Sequence, residues 1–135
     1  MLFPTYLHPI SIIVLLFYSI FSYHHYHSKA WELLLCFSGE ASVQFGGKLG
    51  PMVTVAKGDL VLVPPGLAHK QLDDKNGFSL LGSYPTFGFD GSIDTLTGRP
   101  TIEERERIVK CHVPERDPIF NLDLHELCKA PDAYN

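Results

Sequence analysis

This sequence of 135 residues has little of several features that mark whole classes of protein. It contains no run of Lys or Arg longer than two residues, and its formal net charge is −4, so no nucleic-acid or anionic-lipid surface is indicated. Charged residues make up only 19% and hydrophobic residues 45%, which excludes a disordered chain. Three cysteines cannot all pair within one chain and do not have the spacing of a disulfide scaffold. A reducing compartment, and hence a cytoplasmic location, is predicted.

Charge is wholly lacking from the first 23 residues, which contain no Asp, Glu, Lys or Arg. Their apolar centre, residues 10–21, would span about 18 Å as a helix, which is short of a bilayer core of about 30 Å. The segment also lacks the basic start and small-residue cleavage site of a secretory signal. Three interpretations of residues 1–22 stay open: a membrane or signal anchor, a first strand or helix of the domain, or a non-native start of the chain.

The middle of the chain alternates short runs of β-branched, aromatic and leucine residues with turns rich in Gly, Pro and Asp. Such closely spaced short runs predict strands of a sandwich or small barrel. The predicted strands are Tyr23–His27, Trp31–Phe37, Ala41–Phe45, Met52–Ala56, Leu60–Val63, His69–Leu72 and Phe78–Tyr84.

After the predicted strands, Thr101 and Glu104 have the spacing of a helix capping box, which predicts a helix that runs to about Lys110. The length fits one domain. We therefore expect an apolar segment at 1–22, a β core at 23–90, and a loop, helix and tail at 91–135 that pack on the core.

Four residues carry the predicted chemistry: His25, His27, Glu32 and His69. His25 and His27 lie two apart on a predicted strand, so their side chains share a face. A short turn allows Glu32 to enter the next strand, and His69 opens a later one. Three imidazoles and one carboxylate in a small barrel suit a divalent transition metal, with the carboxylate favouring the harder ions. Leu34 and Cys36 then follow Glu32 on the same face as apolar lining.

The same residues belong to two longer motifs that resemble those of the cupins. The first is met by His25-Tyr26-His27, Glu32 and Gly39, and the second by Gly58, Pro64, Gly66 and His69. Ser19 and Asp73 stand where the family has Gly and Asn. More narrowly, residues 24–28, 43–47 and 82–85 are similar to the small single-domain YjlB-like cupins.

The resemblance implies an antiparallel jelly-roll barrel with a metal held by His25, His27, Glu32 and His69. It also implies a small-molecule ligand and a homodimer. Gln71 and Tyr84 are candidate substrate contacts at the barrel mouth. The metal, Mn, Fe, Ni or Zn, would serve an oxygenase, decarboxylase or isomerase acting on a small oxygen-bearing substrate. The alternative is a cupin module that binds a metal or small ligand without turnover.

Overall fold

The computed structural model describes residues 12–85 and 92–111, together with Arg116 and Asp123. One compact unit runs from Ser11 to Cys111. A second unit comprises Met1–Ile10 and His112–Asn135, where the described residues Arg116 and Asp123 form an isolated antiparallel bridge. The start of the predicted apolar segment and most of the predicted tail therefore lie outside the described residues. The boundaries predicted at residues 22 and 90 stay a prediction.

The described strands form one antiparallel sheet built around a single long strand, β2. β2 pairs with β3, β4, β5 and β6, and β6 pairs in turn with β1. The strands are β1 (Ile12–Tyr18), β2 (Glu32–Phe45), β3 (Met52–Ala56), β4 (Leu60–Val63), β5 (His69–Gln71) and β6 (Lys75–Pro85). The predicted all-β class with one C-terminal helix is confirmed. Within the described residues the sheet does not close on itself.

β1 lies in the apolar N-terminal segment for which three interpretations were open. Its backbone pairs with β6, with Ile13 opposite Tyr84 and Tyr18 opposite Leu80. Residues 12–18 thus form a strand of the same sheet as the rest of the domain. No helix in the described part of the chain has both the length and the apolar character needed to cross a membrane.

β2 corrects the prediction of two strands, Trp31–Phe37 and Ala41–Phe45, separated by a turn at Gly39. The structure has one strand of 14 residues, whose pairing with β6 shifts register on both sides of Ser38. Gly39 has φ +65°, and a Cβ there would lie 2.6 Å from the backbone nitrogen of Phe78. The glycine therefore makes a bulge within a continuous strand, since a bulge absorbs extra residues without ending the pairing.

The predicted strand Tyr23–His27 is also wrong as a strand. Only two isolated bridges occur there, between His25 and His69 and between Tyr26 and Leu96. Because adjacent residues pair with different segments, no ladder can extend along this stretch. The alternation of side chains survives nevertheless: His25 and His27 lie in one cluster, whereas Tyr26 hydrogen-bonds to Glu104.

The hydrophobic core lies against the face of β2 on which Glu32, Leu34 and Cys36 alternate with less buried residues. Leu34 and Cys36 are buried apolar lining, as predicted. The buried cluster comprises Ile20, Leu34, Cys36, Ala41, Val43, Val55, Val63, Phe78 and Leu80. Glu32 thus stands at the end of an apolar row, where a carboxylate is costly unless it is partnered.

The helix among the described residues, α1 (Ile102–Lys110), begins with the predicted capping box. The Thr101 hydroxyl accepts the backbone N–H of Glu104, and the Glu104 carboxylate accepts the backbone N–H of Thr101. These two bonds satisfy backbone donors that the first helical turn leaves without intrahelical partners. No residue of α1 is buried. Its contacts with the rest of the unit include the polar side chains of Glu104 and Arg107 and the apolar side chain of Ile108, which lies against Gly66.

Candidate metal centre

Three buried histidines, His25, His27 and His69, lie close together. The backbone bridge between His25 and His69 brings their rings to a centroid distance of 4.1 Å. His27 lies on the same side of its segment as His25, with ring centroids 5.4 Å apart. Each of the three offers a ring nitrogen within 4.8 Å of those of the other two. Convergence of this kind, away from water, is the arrangement that a metal-binding site requires.

Glu32 completes the group of four residues predicted from the sequence. It is the first residue of β2 and is buried. Its Oε2 lies 3.5 Å from Nε2 of His27 and 3.3 Å from Nε2 of His69. The structure therefore places Glu32 beside two of the three clustered histidines, and metal ligation by the four residues stays a prediction.

The Nδ1 atom of each histidine faces a backbone carbonyl oxygen. The distances are 3.3 Å for His25, 2.5 Å for His27 and 3.0 Å for His69. The carbonyls belong to Tyr23, Asp94 and Leu67, respectively. Because a carbonyl only accepts, each neutral imidazole donates its Nδ1–H there and keeps the lone pair on Nε2. Hydrogen bonds of this kind orient metal-ligating histidines.

The pKa values of His25 and His27 are shifted in opposite directions. Burial, reinforced by the nearby His69, lowers the pKa of His25 to about 4, so this imidazole is neutral at physiological pH. Burial also acts to lower the pKa of His27, but the hydrogen bond and charge of Glu32, with help from Asp94, outweigh it and raise the pKa. The neutral form is the one that binds metals, so a metal at this site competes with the proton that Glu32 favours on His27.

Tyr84 lies beside Glu32 within the structure. Its hydroxyl donates a hydrogen bond of 2.6 Å to Oε1 of Glu32, and its ring lies edge-on to His27 at 5.9 Å. The sequence suggested Tyr84 as a substrate contact, and that role stays a prediction. The observed contact gives Tyr84 a different role, because it holds one carboxylate oxygen while the other faces the imidazoles.

Gln71 is the second candidate substrate contact, and its side chain hydrogen-bonds to a nearby residue of the same segment. Its Nε2 donates to the carbonyl of Asp73 at 2.9 Å, while its backbone N–H donates to the carbonyl of Phe21. Its Oε1 is buried and has no hydrogen-bond partner among the described residues. A role for Gln71 in substrate binding also stays a prediction.

Sequence reasoning missed Asp94, the residue whose carbonyl holds His27. Asp94 falls in the loop that was predicted at the start of the segment 91–135. It lies 67 positions beyond His27. No spacing rule joins the two residues, because their contact depends on how the loop folds back. The only local signal was the capping box at Thr101, which shows that an ordered helix follows the loop.

Comparison with known families identifies the part of the chain that carries this cluster. Residues 20–72 match the model of the cupin domain. This range includes the three histidines and Glu32, and it ends before Tyr84 and Asp94.

One relative is YjlB of Bacillus subtilis strain 168, an uncharacterised protein. It is 41% identical to this chain over an alignment of 107 residues that covers 75% of this chain and 61% of the relative. The chain thus spans about three fifths of the length of the curated relative it matches. The chain thus contains a match to the cupin domain at residues 20–72 and is similar to YjlB over three quarters of its own length.

Proposed function

We propose that this protein binds one divalent transition metal ion through His25, His27, Glu32 and His69, and that the bound ion takes a small oxygen-bearing ligand. The observation that carries the proposal is the convergence of three buried imidazoles and a buried carboxylate, with every Nδ1 turned outward to a backbone carbonyl. Burying a carboxylate is costly unless it has partners, and metal ligation would give the buried Glu32 such a partner.

The distances between donor atoms support this proposal. Metal bonds to imidazole nitrogen and carboxylate oxygen of about 2.0–2.2 Å place neighbouring ligand atoms roughly 3 Å apart. Oε2 of Glu32 lies 3.3 Å from Nε2 of His69 and 3.5 Å from Nε2 of His27. These donor atoms of Glu32, His27 and His69 are therefore close to the spacing that a shared ion requires, and the ring nitrogen of His25 lies within 4.8 Å of those of the other two histidines. A set of nitrogen and oxygen donors suits Mn, Fe, Ni or Zn.

The chemistry follows from the roles of the protein's own groups. A metal ion bound here would supply Lewis acidity, or redox chemistry if it is iron. The backbone carbonyls fix the ring orientations, and the Tyr84 hydroxyl fixes the Glu32 carboxylate. The small-molecule ligands that such a site favours are carboxylates, enediols and sugars, which offer oxygen atoms. Oxygenase, decarboxylase and isomerase reactions are the enzymatic forms of this proposal.

A titration with Co²⁺ followed by visible absorption tests the proposal, because the spectrum reports the ligands around the ion. We expect a saturable spectrum in the wild type that needs much higher Co²⁺ concentrations to develop in Glu32→Gln and His69→Ala. His24→Ala is the matched control, since His24 lies next to His25 in sequence but outside the cluster. Equal Co²⁺ binding in wild type and Glu32→Gln would contradict ligation by Glu32.

Binding without turnover is the second candidate function, and one observation favours it. The hydroxyl of Tyr84 and the carboxylate of Glu32 are hydrogen-bonded to each other, so the two groups most suited to proton transfer beside the histidines are engaged. Assays of the metal-loaded protein on small carboxylates and sugars, with O₂ consumption recorded, separate the two functions. Turnover identifies an enzyme, whereas a ligand-induced spectral change without turnover identifies a binding module.

A homodimeric state and a cytoplasmic location also belong to this proposal. Light scattering of the purified protein tests the first, and cell fractionation of the full-length chain tests the second.

A further inference from the structure

His27 differs from the other two histidines because the backbone carbonyl that its Nδ1 faces belongs to a distant part of the chain. His25 and His69 each face a carbonyl only two residues earlier in their own segments. His27 instead faces the carbonyl of Asp94, 67 residues later in the chain. The orientation of the His27 ring therefore depends on a separate segment that must be correctly docked.

The side chain of Asp94 docks that segment beside His27. Its Oδ1 accepts the backbone N–H of Ser28 at 2.8 Å, and its Oδ2 accepts the Ser28 hydroxyl. Ser28 is completely buried. Asp94 thus holds the His27 ring through its carbonyl and the next residue of the chain through both carboxylate oxygens.

Arg107 of α1 joins the same network from outside the sheet. Its Nε donates to the Ser28 hydroxyl oxygen at 2.9 Å, and its guanidinium lies 3.8 Å from Oδ2 of Asp94. The Ser28 hydroxyl therefore accepts from Arg107 while it donates to Asp94. We call Ser28, Asp94 and Arg107 the His27 clamp.

A second contact ties α1 to the residue on the other side of His27. The Tyr26 hydroxyl donates to Oε2 of Glu104 at 3.0 Å, and the Tyr26 backbone exchanges two hydrogen bonds of 2.9 Å with Leu96. Burial and the Glu104 carboxylate raise the pKa of Tyr26 to about 12, so the phenol remains a donor at physiological pH. Both sequence neighbours of His27 are thus attached to α1.

We propose that Asp94 and Arg107 are positioning residues for His27, and that docking of α1 and metal binding at the histidine cluster stabilise each other. The metal half of this statement rests on the proposed function. Coupling between two sites is reciprocal: a docked helix raises metal affinity, and a bound metal protects the helix contacts. α1, which buries none of its residues, would then act on the site through Arg107 and Glu104.

The test uses Arg107→Ala, with Lys110→Ala as the matched control. Lys110 is on the same helix and pairs with Glu106 at an exposed position. The first readout is the ¹⁵N NMR signal of the His27 ring in metal-free protein, recorded at a pH high enough to keep the ring neutral, which is above the ordinary histidine pKa of about 6.5 because Glu32 raises the pKa of His27. We expect the Nδ1–H tautomer in wild type and Lys110→Ala, and a mixture of both tautomers in Arg107→Ala.

The second readout is metal affinity measured by Co²⁺ titration. Loss of groups that orient a metal ligand costs about 10–100-fold in affinity, and we expect that loss in Arg107→Ala but not in Lys110→Ala. Arg107→Gln keeps an N–H donor and is expected to lose less. It also serves as the milder variant if Arg107→Ala does not fold.

A double-mutant comparison separates positioning of His27 from a general structural effect. In a His27→Ala background, Arg107→Ala should cause no further loss of affinity, because the ring that it positions is absent. In a His69→Ala background the full loss should remain. Equal losses in both backgrounds would show that Arg107 supports the fold and not the ring.

The outcomes distinguish this proposal from the proposed function. If Arg107→Ala and Arg107→Gln leave both the tautomer and the metal affinity of wild type, the clamp proposal is wrong while the metal site stands. If wild type binds no metal but Arg107→Ala changes the His27 tautomer, the positioning role stands, and the metal site and its coupling to α1 fall.

Discussion

Removing the hydroxyl of Tyr84 perturbs the candidate metal centre by a single atom. Tyr84→Phe keeps the aromatic ring and deletes the donor of the 2.6 Å hydrogen bond to Oε1 of Glu32. Both side chains are buried, with Tyr84 6% and Glu32 2% exposed. Water therefore has little access to replace the lost donor. The buried carboxylate of Glu32 loses the stabilisation that this hydrogen bond provides.

The size of the effect follows from the charge of the acceptor. Hydrogen bonds to charged groups contribute about 1.5–3 kcal/mol to stability. With a urea slope of about 1–3 kcal/mol per molar, Tyr84→Phe should lower the unfolding midpoint by roughly 1 M. Chelator in the buffer keeps metal binding from contributing to the measured free energy.

Tyr23→Phe is the control for this experiment, since it deletes the same atom from a tyrosine that is 46% exposed. We expect a change within about 0.5 kcal/mol for this surface substitution. If Tyr84→Phe is no less stable than Tyr23→Phe in urea, the hydrogen bond to Glu32 does not hold the carboxylate and the reasoning is refuted.

Two further predictions concern the frame around the site. Hydrogen bonds from Ser42 lower the pKa of Asp73 below 3.8, so its stabilising effect is present at neutral pH and is lost as the pH falls through that lowered value. Asp73→Asn should therefore flatten the fall of the unfolding free energy between about pH 5 and pH 2, and an unchanged slope would contradict this role. Gly39→Ala should destabilise the protein by more than Gly77→Ala: both glycines have positive φ, but only at Gly39 would a Cβ meet backbone, 2.6 Å from Phe78. The cost of positive φ alone is about 1–2 kcal/mol. Equal unfolding free energies for the two variants would show that the bulge relaxes.

The site was more predictable than the strands that carry it. Spacing alone put His25, His27 and Glu32 near one another, because alternation and a short turn are local geometric rules. The turns that separate β3, β4 and β5 were also predicted, and Met52–Ala56 and Leu60–Val63 have the predicted bounds. The last predicted strand, Phe78–Tyr84, is too short, because β6 already begins at Lys75.

What could not be predicted depends on contacts between distant segments. Gly39 was interpreted as a turn because glycine ends strands and makes bulges equally well, and only the partner strand β6 decides between them. The stretch Tyr23–His27 was interpreted as a strand because its alternation is real, yet its residues pair with two different segments. Asp94 could not be connected with His27 from the sequence at all, since a carbonyl carries no side-chain signature.

Metal content of the purified protein, measured by inductively coupled plasma mass spectrometry, tests the central claim most directly. Wild type, His27→Ala and Glu32→Ala are compared as purified and after reconstitution with Mn, Fe, Ni and Zn. We expect a stoichiometric amount of one of these metals in wild type and its loss in both variants. A folded wild-type protein that retains no metal after reconstitution, or variants that retain as much as wild type, would contradict the claim.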